Sequence, residues 1–158
     1  MLSCIIYPQE ESVKPANPTP WIKPDAIPRR WILVDARGIP LGRLCSRVAT
    51  LLRGKHRPEF APHWDLGDYV IVVNAREVKL TGRKLFTKLY ARYSGYPGGM
   101  RVFTARDLLQ RNPERLILEG VWGMLPKNRL GRKLLRKLRV YPGPDHPHKA
   151  QKPITISL

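Results

Sequence analysis

Seven cations stand between Lys127 and Arg139 with no acid among them: Lys127, Arg129, Arg132, Lys133, Arg136, Lys137 and Arg139. Leu130, Leu134, Leu135 and Leu138 recur in the same stretch at helical spacing. They predict the packed face of an amphipathic helix over 127–139, with the cations covering the remainder. Solvated helices usually interleave Glu with Lys, because opposite charges four residues apart are mildly stabilising and like charges mildly destabilising. A run without counter-charge is held in mutual repulsion until a polyanion neutralises it. The chemistry open to it is phosphate binding with release of counterions; the bland alternative is a merely solvated face.

A second group mixes cations with rings. Lys79, Arg83, Lys84, Lys88 and Arg92 are interleaved with Phe86, Tyr90, Tyr93 and Tyr96. Guanidinium groups meet phosphates as a bidentate fork, and an exposed ring such as Tyr93 can stack on an unpaired base. About half of these rings are expected in the core instead. Gly95, Gly98 and Gly99 form either a close approach for a sugar–phosphate chain or a simple turn. Arg43, Arg47 and Arg53 fall largely off the apolar stripe of a predicted helix, and Lys55, His56 and Arg57 follow it as a basic loop. His146, His148 and Lys149 lie in a Pro/Gly/His-rich tail and read as polar RNA contacts or solvated groups.

Catalytic and cofactor chemistry finds no support. Gly54-Lys55 is followed by His56, with no glycine five residues before it, so no phosphate-binding P-loop is present; nor is G-x-G-x-x-G. His146-Pro-His148 is poorly spaced for two ligands of one metal. Asp65 and Asp68 precede a strand without marks of a catalytic dyad, and no nucleophile elbow or H-E-x-x-H occurs. No cofactor is expected, other than Mg2+ carried non-specifically by bound RNA. Cys4 and Cys45 cannot make a disulfide framework, and Cys45 reads as a core residue in a reduced, intracellular protein. No stretch reaches the ~18 apolar residues of a spanning helix.

The 158 residues are enough for one domain and a tail. They carry 29 Lys+Arg against 12 Asp+Glu, a net +17 that no fold requires and that argues for a nucleic-acid partner. Residues 1–28 hold six of the sixteen prolines and a net −1, which leaves +18 on 29–158. That proline density predicts a tail that is extended or disordered alone, with Trp21 and Ile22 its anchoring candidates. It lacks the apolar run of a secretory signal and the Arg-rich, acid-poor character of a transit peptide.

The elements that must position these groups follow from pattern. Trp31–Asp35 reads as a strand, Leu41 to Leu52 as a helix stopped by Gly54, and Tyr69–Asn74 as an apolar strand covered on both faces. Val78–Leu80 extends that region. Lys84–Tyr93 has weak helical or strand character, and Met100–Phe103 is a short strand. Thr104-Ala-Arg-Asp107 is a capping box opening a helix to about Arg111. Asn112-Pro113-Glu114 opens another, with Leu116, Ile117, Val121 and Met124 as its stripe and Pro126 its end. The order predicts an α/β fold.

The chain resembles large-subunit ribosomal protein thirteen of the bacterial type over about residues 31–158. The resemblance rests on Trp31-Ile-Leu-Val-Asp35, Leu41-Gly42-Arg43-Leu44 and Leu52-Arg53-Gly54-Lys55-His56-Arg57-Pro58. It continues through Gly67–Ala75, Thr81-Gly82-Arg83-Lys84, Gly123–Lys127, Leu130-Gly131-Arg132, Lys137–Tyr141 and His146–Pro153. Order and spacing together make these fragments specific. The resemblance implies a three-layer α/β/α fold with a small, mostly parallel four-stranded sheet, behind the extended N-terminal tail. It implies a structural constituent of the large (50S) subunit that binds 23S ribosomal RNA early in assembly, as a monomer beside neighbouring ribosomal proteins. It places the protein in a cytoplasmic bacterial ribosome, with an organellar one second, and with no membrane or small-molecule partner. It also implies RNA contacts in the 53–57 loop, the Gly82-Arg83-Lys84 region and the basic helix with its tail. Trp122 departs from the basic residue usual before Gly-Met-Leu-Pro, so that position is not counted as a phosphate contact.

Two other readings compete: a DNA-binding protein laying the 127–139 helix in a major groove, and a nucleic-acid-modifying enzyme. The first fits the aromatic-basic loop and the tail less well than RNA does. The second lacks a carboxylate cluster or cofactor loop.

Overall fold

The computed structural model describes residues 28–156. The expectations for the tail, its Trp21 and Ile22 anchors and Cys4 fall outside them. Four strands, β1 (Trp31–Asp35), β2 (Tyr69–Val73), β5 (Leu138–Val140) and β6 (Ile154–Ile156), form one sheet in the order β5-β2-β1-β6. Every pairing is parallel, with Ile32 beside Val70 and Val34 beside Val72. Parallel neighbours need crossovers, and α1 (Leu41–Arg53) supplies the one between β1 and β2. Two further helices complete the packed layer, α4 (Pro113–Met124) and α5 (Arg129–Leu135). The α/β class and the parallel four-stranded sheet agree with the sequence.

The pleat sorts the side chains. Ile32, Val34, Val70, Val72, Leu138 and Val140 share one face and meet Leu44, Val48 and Leu52 of α1 with Leu116, Ile117 and Val121 of α4. Each such buried side chain contributes about 1.5–3 kcal/mol. Cys45 is in this core, where burial pushes its thiol up to about 11 against a small opposing effect of Lys88. The other face carries Trp31 stacked on Tyr69 at 4.5 Å between centroids and on His148 at 5.1 Å. The C-terminal segment therefore closes that side.

A second, two-stranded sheet stands apart: β3 (Leu89–Tyr93) and β4 (Met100–Thr104), antiparallel and joined through Ser94–Gly99. A single helical turn, α2 (Lys84–Thr87), leads into it, and α3 (Ala105–Arg111) leads out. The capping box opens α3 as expected: the Asp107 amide donates to the Thr104 hydroxyl, and the Asp107 carboxylate accepts from the Thr104 amide and hydroxyl.

Several expectations change. The helix over 127–139 is only Arg129–Leu135, because Leu138 and Val140 are drawn into the sheet beside β2, which a helix could not pair. Val78–Leu80 does not extend β2. A 3-10 turn over Ala75–Glu77 intervenes, and Lys79 makes only an isolated bridge to Pro40. Met124 leaves the stripe and is exposed at the end of α4. The strand β6 was hidden in a segment read as tail.

Candidate nucleic-acid interface

The loop after α1 is built around a buried acid. Gly54 ends the helix in left-handed conformation (φ 79°), and the chain returns so closely that a Cβ on Gly67 would lie 1.6 Å from the Leu52 carbonyl oxygen. This return places the Asp68 carboxylate, fully buried, beneath the loop. It accepts from the Arg30 amide at 2.9 Å and pairs with the Arg57 guanidinium, while His56 Nε2 lies 2.9 Å from its other oxygen. Arg57 therefore serves the fold, His56 touches the same carboxylate but stays exposed, and Lys55 is exposed with no acid partner among the described residues. Lys137 is likewise corrected: it is buried, its ammonium paired with Asp65 and donating to the Gly67 carbonyl at 3.0 Å. A charge at that depth needs a partner, which the sequence pattern could not reveal. Asp65 and Asp68 are both spent on internal cations, so neither faces a cleft as a catalytic acid would. The described residues also contain no group of three His, Cys, Asp or Glu able to hold a metal.

The remaining cations gather on two surfaces. Arg43 and Arg47, a turn apart on the outer side of α1, adjoin Lys79, Lys84 and Lys88 around one cleft and its neighbour. Lys84 Nζ reaches the Thr81 hydroxyl at 3.4 Å, and Lys88 Nζ sits 5.3 Å from the Tyr90 ring centroid. Arg83 is exposed nearby. Arg53 and Lys55 continue the surface past the end of α1, with Arg53 over the Phe60 ring at 5.6 Å. The second surface holds Arg132 on α5, Arg136 just past the end of that helix and Arg139 on β5, around a cleft walled by Trp122. Arg129 and Lys133 are exposed on the same short helix. Lys127 folds over the Trp122 ring, its Nζ 4.2 Å from the centroid.

The hairpin adds a third arrangement. Its register sets Arg92 directly opposite Arg101, a like-charge pair that destabilises the ribbon until an anion lies across it. Sequence reading missed Arg101; its place between Met100 and Val102 in a short strand was the available signal. The opposite face aligns Leu89, Tyr93, Met100 and Val102, all half or more exposed. The ring expectation changes too: Phe86, Tyr93 and Tyr96 are 63–74% exposed, and only Tyr90 turns partly inward. In the tail, His148 is held by Trp31 and lies 2.8 Å from the Tyr141 hydroxyl, so it packs; Lys149 is exposed, and His146 is half-buried.

The DNA alternative loses its instrument. A seven-residue α5 is about 10 Å long, and both ends are tied into the fold, with Asn128 capping the Gly131 amide at 2.8 Å. The long 127–139 helix on which that reading relied is therefore absent.

The chain is similar to known proteins across this whole framework. The family model described as Ribosomal protein L13 matches residues 29–147. The large ribosomal subunit protein uL13 of Thermotoga maritima is 56% identical over 144 residues, covering 91% of this chain and 97% of that protein. That of Syntrophobacter fumaroxidans is 60% identical over 134 residues, covering 85% and 94%. That of Thermobifida fusca is 59% identical over 136 residues, covering 86% and 91%.

Proposed function

The chain belongs to the ribosomal protein L13 family, structural proteins of the large ribosomal subunit and not enzymes, and on that premise we propose that it binds 23S ribosomal RNA through its two basic surfaces and supports early assembly of the subunit. The observation that carries this reading is the set of cations left without acid partners among the described residues. Arg37, Arg57, Arg115 and Lys137 are paired internally. Arg43, Arg47, Lys55, Lys79, Arg83, Arg132, Lys133, Arg136 and Arg139 are not, and they flank clefts or crown exposed helix faces. Such groups gain most from phosphates, whose condensed counterions they displace. Specificity would come from the shape of folded RNA, since phosphate contacts position a protein without reading bases.

Neighbouring large-subunit proteins are the second class of partner in this proposal, and the uncharged apolar face of the hairpin suits them better than RNA. The protein would act as a monomer in the cytoplasmic ribosome of a bacterium, without cofactor beyond Mg2+ held by the RNA itself. Reversing three charges together (Arg132→Glu, Lys133→Glu, Arg136→Glu) should weaken binding to a 23S transcript by roughly 100-fold or more at physiological salt. It should also deplete the protein from sedimenting large subunits. Unchanged affinity and sedimentation would refute the reading.

A further inference from the structure

The cleft beside α4 has a composition that phosphate binding alone does not explain. Its volume is about 730 Å³, and Leu118 and Leu135 give it an apolar lining beside the Trp122 indole. Three guanidinium groups, Arg132, Arg136 and Arg139, share this lining. Glu119, the one acid there, is already engaged by Arg115 Nε at 2.6 Å. The cleft therefore joins an uncompensated triple positive charge to an aromatic wall.

Resting on the RNA-binding reading above, we propose that this cleft takes a single unstacked nucleotide of the ribosomal RNA, its base against Trp122 and the leucines and its phosphate on the arginines. A nucleotide supplies both things the cleft lacks. A base offers a π-face and an apolar plane to indole, and an adjacent phosphate offers a planar-fork partner to guanidinium. An apolar protein side chain would fill the same space but leave three arginines desolvated without an anion. A base within a duplex cannot enter, because its faces are already stacked; an unpaired loop or bulge nucleotide can. The wall is also held in advance. Lys127 covers the indole and donates to the Trp122 carbonyl oxygen, so the ring and the lysine are ordered before binding, which reduces the entropy lost on association.

The test uses the full chain and a 23S transcript, with affinity measured across several salt concentrations. Trp122→Leu keeps apolar volume and removes the π-face. It should weaken binding about 5- to 150-fold while the slope of log affinity against log salt stays at the wild-type value. Trp122→Phe should recover most of the loss, which a folding defect in the leucine variant would not explain. Ultraviolet crosslinking of assembled subunits, mapped by mass spectrometry, should attach one nucleotide at Trp122. Binding by Trp122→Leu within twofold of wild type would overturn the proposal, as would a crosslink from Trp122 to another ribosomal protein in place of RNA. The triple charge reversal separates the two ideas: if it loses binding while Trp122→Leu does not, the cleft proposal falls and the RNA reading stands. If the triple reversal binds as wild type does, the RNA reading falls first.

Discussion

Asp68 lies fully buried beneath a loop of cations, and its place decides which of them can meet a phosphate. It holds Arg57, whose side chain is only 12% exposed, and orients His56. Removing one partner of a buried pair leaves the other charge uncompensated, at a cost of about 3–5 kcal/mol. Asp68→Ala should therefore lower unfolding stability by about 3 kcal/mol or more, read as a fall in the urea midpoint at unchanged slope; a loss below about 1 kcal/mol would show the pair to be incidental. The residue types of the Lys55-His56-Arg57 run were plain in the sequence, but their roles were not. Three adjacent basic residues look alike until the Asp68 carboxylate settles against two of them and buries one.

At the scale of elements, local codes were legible where their partners are local. The capping box of α3 needs only Thr104 and Asp107, three residues apart, and it forms. Hydrogen bonds from the Thr104 side chain and then its backbone hold the Asp107 carboxyl below its ordinary value of 3.8. A carboxylate with a depressed folded pKa adds stability above its unfolded value, and that stability is lost as pH falls through the folded one. Thr104→Ala should thus destabilise the protein at neutral pH, read as a lower urea midpoint. The gap to wild type should narrow as pH drops below about 3.8; a gap constant down to pH 2 would argue against the bonded carboxylate. The basic helix was misjudged for the complementary reason. Leucine spacing over 127–139 satisfies a helix, but Leu138 and Val140 also alternate, and β2 offers them parallel backbone partners. Strand β6 was illegible for the same cause: Ile154–Ile156 is too short to declare itself without the edge of β1 beside it.

For the whole molecule, the +17 charge divides into cations that hold the fold and cations that the fold exposes. The two sets predict different salt behaviour. Arg132→Ala should reduce the magnitude of the salt slope of RNA binding by roughly 0.7–0.9, the loss of one phosphate contact. Lys137→Met should leave the slope unchanged and instead reduce stability, because its partner is Asp65 inside the protein. Equal slopes for wild type and Arg132→Ala, or a reduced slope for Lys137→Met, would contradict this division.

The amino-acid sequence alone determined the class of fold, the family resemblance and the excess of cations that demands a polyanion. Those rest on composition, short-range periodicity and ordered motifs, all carried by neighbours along the chain. Tertiary structure alone decided that Arg57 and Lys137 are internal, that Arg92 faces Arg101, and that Trp122 walls a cleft among three arginines. Each of those depends on which distant backbone a side chain meets, and charge type says nothing of that until burial and pairing are set in space.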